Sequence, residues 1–247
     1  MLLLPTQQED FQATYRTDSE PWEYSTSGAE RLRYQRTVEL ARQFQPRPGR
    51  VLEVGCGLGL MTRRLASYAG EVVAIDISVP AVQKCEAQLG NELPNVRFAV
   101  GTLTDPAFEA TAFDVIFYCD GLVGHQLPDH ELLLVRDKMR KMLTSGGIII
   151  LSDYLGHRQF AAYRQRVAEL GFEVLREELL HDRLWFQLKS WLKLFKSVGV
   201  VRRCLASEGL AKRLAQLSAG RGEQGSKHLC LVVRPQAQPP LGGSLGS

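Results

Sequence analysis

From Val51 onward, short apolar runs alternate with segments of helical length. β-Branched or aliphatic runs fall at Val51–Val54, Val72–Ile77, Val96–Val100, Asp114–Tyr118 and Ile148–Leu151. Between them, Met61–Tyr68, Val79–Leu89 and His130–Leu143 carry helical patterns. Ser78 is a suitable N-cap for the second of these, with Pro80 in its first turn. Thr144-Ser145-Gly146-Gly147 reads as the stop that ends the third. Strands that are nearly all apolar and separated by helices predict a parallel sheet covered on both faces, a doubly wound α/β core.

The flanks follow other patterns. Residues 1–26 are polar with interspersed aromatics, and Ser27-Gly28-Ala29-Glu30 reads as a capping box opening a helix to about Phe44. Pro46-Arg47-Pro48-Gly49 ends that helix before the first strand. After Asp153 the pattern predicts a helix to about Leu170 and a strand at Glu173–Leu179. A long helical stretch over 181–219, a Gly-rich turn at 220–226 and a last strand at His228–Arg234 follow. The organisation is thus an arm and lid helix over 1–45, a core domain over 46–235 that includes the insertion at 181–219, and a disordered tail over 236–247.

Within the insertion, Leu184, Leu188, Trp191, Leu192, Phe195 and Val198 share one face of a continuous helix. The same 181–219 stretch carries eight basic and two acidic residues, so it is +6 in a chain whose net charge is +3. A cap over an acceptor pocket, a homodimer interface and a peripheral membrane contact through 183–204 are the three uses of such a segment, in that order.

Composition narrows the class. A 247-residue chain with ordinary apolar and charged fractions forms one well-packed domain, and +3 gives no reason to expect a nucleic-acid partner. Five scattered cysteines form neither a zinc site nor a disulfide framework; no metal is expected, and a reducing cytoplasm fits. The N-terminal apolar run is too short for a signal peptide, and no stretch approaches a membrane span.

The chemistry concentrates in Val51-Leu52-Glu53-Val54-Gly55-Cys56-Gly57-Leu58-Gly59. A phosphate loop needs Lys-Ser/Thr after its last glycine, and Leu60-Met61 stands there instead. A dinucleotide fingerprint spaces its glycines as G-x-G-x-x-G, whereas these alternate. Glu53 would repel a pyrophosphate and attract an ammonium group. Seventeen residues after Gly59, Asp76 ends the next strand, at the place where a carboxylate accepts from a ribose diol. A ligand with an ammonium, a free ribose and no phosphate satisfies both acids, and S-adenosylmethionine is such a ligand.

Glu53 to Gly59 followed by Asp76 resembles the first two motifs of class I S-adenosylmethionine-dependent methyltransferases, over roughly residues 30–235. The resemblance implies a seven-stranded Rossmann-like sheet of order 3-2-1-4-5-7-6 with the last strand antiparallel. It implies S-adenosyl-L-methionine as cofactor and S-adenosyl-L-homocysteine as product. Glu53, Gly55, Cys56, Gly57 and Gly59 would meet the methionine end, Asp76 and Ile77 the ribose, and Asp120 the methionine side. Many members carry an acid or amide after the third strand; here Gly101-Thr102-Leu103 stands there, so Thr102 or backbone groups would meet the adenine. Glu20-Pro21-Trp22-Glu23-Tyr24 with Glu30-Arg31-Leu32-Arg33-Tyr34 is also similar to nodulation protein S-like N-methyltransferases, which implies Trp22 and Arg31 closing over the methionine end.

In the loop after the fourth strand, Asp120 positions cofactor or acceptor, or caps a helix, and His125 is a candidate proton shuttle or a packed loop residue. Together Asp120 and His125 are the catalytic candidates. His157, close after the fifth strand, is a second candidate proton shuttle, Asp153 and Tyr154 at the end of that strand are candidate acceptor contacts, and Tyr15, Trp22 and Tyr24 are a candidate aromatic lid. Tyr118-Cys119-Asp120-Gly121 lacks the Asn/Asp-Pro-Pro-aromatic run of nucleic-acid amino methyltransferases. The expected reaction is methyl transfer to a small-molecule amine. The alternatives are O- or C-methylation of a quinone-like or aromatic metabolite, and a catalytically silent assembly partner.

Overall fold

The computed structural model describes residues 5–18, 20–105, 112–121, 129–195 and 197–236. The sheet runs β1 (Arg50–Val54), β2 (Glu71–Asp76), β3 (Val96–Val100), β4 (Phe113–Cys119), β5 (Leu143–Tyr154), β6 (Phe172–Leu179) and β7 (His228–Pro235). Their spatial order is β3-β2-β1-β4-β5-β7-β6, with β7 antiparallel to both β5 and β6 and the other pairings parallel. The order reverses between β1 and β4, so a crevice opens at their carboxyl ends, where such sheets bind ligands.

Alternation along the strands explains the two-layer core. Leu52, Val73, Ile75, Ile116 and Leu231 point to one face and pack against Met139, Phe160, Tyr163 and Val167. Val51, Val72, Val115, Ile150 and Val232 point to the other, under Val38, Leu40, Leu65 and Tyr68. The covering helices are α2 (Gly28–Arg42), α3 (Leu60–Ala66), α4 (Val79–Leu89), α5 (Asp129–Met142) and α6 (Phe160–Glu169). Ser27 and Ser78 cap α2 and α4 through their hydroxyls, as their positions in the sequence predict.

Three elements differ from the sequence pattern. The arm holds a helix, α1 (Pro5–Thr17), whose low apolar content hides it; it is secured where Tyr15 is buried and its carbonyl accepts from Lys84 Nζ at 2.6 Å. The expected stop at 144–147 is instead the start of β5, because Leu143 pairs with Phe113 and Thr144 donates to Asp114 at 3.0 Å. The long helix of the insertion is broken into α7 (Arg183–Trp191), a 3-10 turn (Leu192–Phe195), α8 (Gly199–Leu205) and α9 (Glu208–Ala219).

That break overturns the shared apolar face. The buried anchor is Trp185, which lies outside that face, with Leu205 and Ala211 against Ala29 of α2. Trp191, Phe195 and Val198 are exposed instead. The expected tail largely lies outside the described residues.

Candidate active site

A cavity of about 980 Å³ occupies the crevice beyond β1, β2, β4 and β5. Glycines shape its floor. Gly55, Gly57 and Gly59 all have positive φ (80°, 52° and 77°). A Cβ on Gly57 would lie 2.9 Å from the Tyr15 hydroxyl, and one on Gly59 would lie 2.4 Å from Leu89 Cδ1. Gly57 and Gly59 therefore answer a double demand, a left-handed backbone and close packing, while Gly55 answers the first alone.

Two buried carboxylates face this floor. Asp76, at the end of β2, accepts from the backbone N–H of Gly57 at 2.9 Å and of Ser78 at 2.8 Å. Burial raises its pKa above the ordinary value, and those N–H donors oppose the rise. Glu53, at the end of β1, accepts from the Thr62 hydroxyl at 2.6 Å. Burial pushes its carboxyl up to about 8, opposed by the Thr62 bond and reinforced by the negative charge of Asp76. Such a carboxyl is largely neutral at pH 7 until a cation meets it.

Ile77, Cys56, Gly101 and Thr102 also line the cavity, with Thr102 Oγ1 3.0 Å from the Thr104 hydroxyl. The arm contributes Phe11, Tyr15, Trp22 and Tyr24 to the wall, so the aromatics expected to form a lid do border the site. Trp22 remains 44% exposed at the rim.

Arg31 stands elsewhere. It pairs with Glu208 at 2.8 Å, donates to the Ser25 carbonyl at 2.6 Å and also bonds the Ala206 carbonyl; it does not line the cavity. Two residues further along α2, Arg33 turns inward instead. Only 2% exposed, it bridges Glu30 (2.7 Å) and Asp120 (2.8 Å) and lies over the Tyr34 ring at 4.4 Å. The expectation for Arg31 is therefore corrected: the inward arginine is Arg33. Sequence reasoning missed it because Arg31, Arg33 and Arg36 are indistinguishable until the helix is docked.

Asp120 has φ of 56°, a conformation aspartate tolerates, and lines the cavity with Oδ2 committed to Arg33. Its Oδ1 is buried and accepts no hydrogen bond among the described residues. The candidate base His125 lies outside the described residues. His157 is drawn to Arg183 at 3.1 Å and does not line the cavity. Asp153 and Tyr154 do, and Asp153 accepts from Tyr163 at 2.5 Å. Near them sits Tyr118, whose phenol is raised by burial and by the negative charges of Asp153 and Glu131. Tyr118 and Glu131 went unnoticed in the sequence, where nothing separates them from ordinary strand and helix residues. No described residue of 181–219 lines the cavity, so the insertion buttresses α2 rather than capping the site.

Residues 51–147, from β1 into β5, match the family model described as a methyltransferase domain. Residues 51–147 thus carry a methyltransferase domain. Over 96 residues it is 38% identical to the magnesium-protoporphyrin O-methyltransferase of Rhodobacter capsulatus, covering 38% of this chain and 42% of that protein. Over 110 residues it is 31% identical to phosphoethanolamine N-methyltransferase 1 of Arabidopsis thaliana, covering 44% and 22%. The chain thus spans less than half the length of either relative. The chain also superposes on the N-methyltransferase NodS of Bradyrhizobium japonicum WM9, solved with S-adenosyl-L-homocysteine. The TM-score is 0.64 at 14% identity, over 93% of this chain and 98% of that one, a likeness of fold. The cavity suits the family's cofactor: buried Glu53 and Asp76 offer carboxylates to an ammonium and a ribose diol across a floor with no side-chain obstruction at Gly55.

Proposed function

We propose that this protein transfers a methyl group from S-adenosylmethionine to the amine nitrogen of a small, cationic acceptor. The observation that carries this reading is the charge of the cavity wall. Glu20, Asp76, Glu131 and Asp153 line it, with Asp120 paired to Arg33 and Glu53 largely neutral until a cation meets it, whereas Arg63 is the lone cation among the described lining residues and is itself paired with Glu92 at 2.7 Å. Glu53 and Asp76 serve the cofactor. Glu131 and Asp153, with Tyr118 and Tyr154, form the acceptor side, where carboxylates and aromatic faces attract an ammonium.

The cofactor supplies a methyl group already activated on a sulfonium, so the chain's task is alignment and exclusion of water. An amine must lose its proton before it attacks, and in this reading Glu131 or Asp153, which both line the cavity, accepts it. Tyr118 and Tyr154 hold the acceptor against the opening of the cofactor floor. A phosphate-bearing amine such as phosphoethanolamine suits this wall poorly, because among the described lining residues only the paired Arg63 is a cation that could meet its phosphate. Identity to an O-methylating and an N-methylating relative is of similar size, so it does not choose between acceptor atoms.

Isothermal titration with S-adenosyl-L-homocysteine, using Asp76→Ala as control, tests the cofactor half. Micromolar binding that the variant loses is expected. A folded wild-type protein that does not bind overturns the reading altogether. Transfer of labelled methyl to a panel of amines, phenols and phosphoethanolamine tests the acceptor half. Turnover of phenols in preference to amines refutes the amine assignment while leaving the cofactor site standing.

A further inference from the structure

We infer that the tip of the helical insertion, residues 189–203, docks on an anionic lipid bilayer. One side of the insertion is fixed to the domain: Trp185 is 1% exposed and packs with Leu205 and Ala211 against Ala29. The opposite side carries large apolar groups directed away from the protein. Trp191 is 81% exposed, Leu194 89%, Phe195 55% and Val200 65%, all at the junction where α7 gives way to the 3-10 turn and α8. A clustered apolar tip of this kind is a marker of interaction rather than ordinary surface.

Charge identifies the occupant. Lys193, Arg202 and Arg203 are exposed among these side chains, Lys189 stands at their edge, and no acidic residue occurs from Arg183 to Ser207. A two-fold symmetric contact between copies of this chain would set the same cations against one another. An anionic membrane surface presents the opposite: phosphate and carboxylate groups for the cations, and an interfacial layer that takes up Trp, Phe and Leu. Lys189 pairs with Glu23 of the arm at 3.3 Å, so the tip is joined to the segment that walls the cavity. The inference stands independently of which acceptor is methylated.

Co-sedimentation of the full chain with phosphatidylcholine vesicles, with and without about 30% phosphatidylserine, tests it. Binding to the phosphatidylserine vesicles alone is expected. The triple change Lys193→Gln, Arg202→Gln, Arg203→Gln lowers partitioning by about fivefold per cation, roughly a hundredfold in all. Leu194→Glu with Phe195→Glu abolishes it, while circular dichroism and S-adenosyl-L-homocysteine affinity stay unchanged. A folded protein that ignores both vesicles, or binds them equally, overturns the inference. So does a dimer in sedimentation equilibrium that Leu194→Glu dissociates, which assigns the tip to a second copy. Retention on immobilised poly-glutamate without vesicle binding assigns it to an acidic protein instead, and overturns it likewise.

Discussion

Glu53→Gln separates the stability of the empty protein from its ability to hold a ligand. In the unfolded chain this carboxyl ionises near 4.5; in the folded protein, burial delays ionisation to about 8. The unfolded state therefore loses its proton first as pH rises, and folding stability falls through that interval. At about 1.4 kcal/mol per pH unit, the penalty grows from near zero at pH 4.5 to roughly 4 kcal/mol at pH 8. Glutamine removes the ionisable group, and its carbonyl oxygen can still accept from Thr62. The variant should thus match the wild type near pH 5 and exceed it by roughly 4 kcal/mol at pH 8, or ~10 °C in Tm for a domain of this size. Urea unfolding across pH 5–8 measures the difference. The gain carries a functional cost. An ammonium reaching Glu53 re-ionises it, so binding of S-adenosyl-L-homocysteine at pH 7 should release a proton, seen as a titration enthalpy that varies with the buffer. Glu53→Gln should bind more weakly and lose that dependence. If wild type and variant show the same pH–stability profile, Glu53 is already ionised in the empty site and the reasoning fails.

Further outcomes follow from the same packing. Gly59→Ala should destabilise the fold by ~3 kcal/mol in urea unfolding, since it forces a φ of 77° on alanine and drives its Cβ into Leu89 and Cys85. Arg33→Met should cost ~3 kcal/mol or more by the same measurement, because it leaves the Glu30 and Asp120 carboxylates without their shared cation. A second buried ion pair joins Asp182, just before α7, to His228 on β7; their mutual attraction raises the histidine and lowers the aspartate. Its stabilisation is present below the ordinary histidine range and is lost as pH rises through the raised value of His228. At the acid end it disappears as Asp182 protonates. His228→Gln should therefore destabilise most between pH 5 and 6 and converge on the wild type in alkali, as followed by thermal unfolding. An unchanged loss at every pH would show that the pair is not ionic.

What could be read along the chain was whatever local geometry or local chemistry dictates. Short, nearly all-apolar runs separated by capped helices determine a parallel α/β core, and every strand of it appears in the sheet. Three glycines at alternate positions behind an acid determine the floor of the cavity, because positive φ, joined by close approach at Gly57 and Gly59, is a demand on single residues. Asp76 is placed by the end of its own strand. The spacing there is enough.

Tertiary structure alone decided what depends on rotation about an axis or on distant partners. On α2, Arg31 and Arg33 are two residues and about 200° apart, so one reaches α9 while the other enters the core; only docking of the helix selects which. The insertion was legible as basic and amphipathic. Its break after Trp191 made Trp185 the buried anchor and left Trp191, Phe195 and Val198 of the expected apolar face in the open, away from the cavity. The wall proposed to meet the acceptor draws Tyr118 from β4, Glu131 from α5 and Asp153 from β5. Nothing local ties those three together; the sheet does, by bringing the ends of separated strands to one crevice.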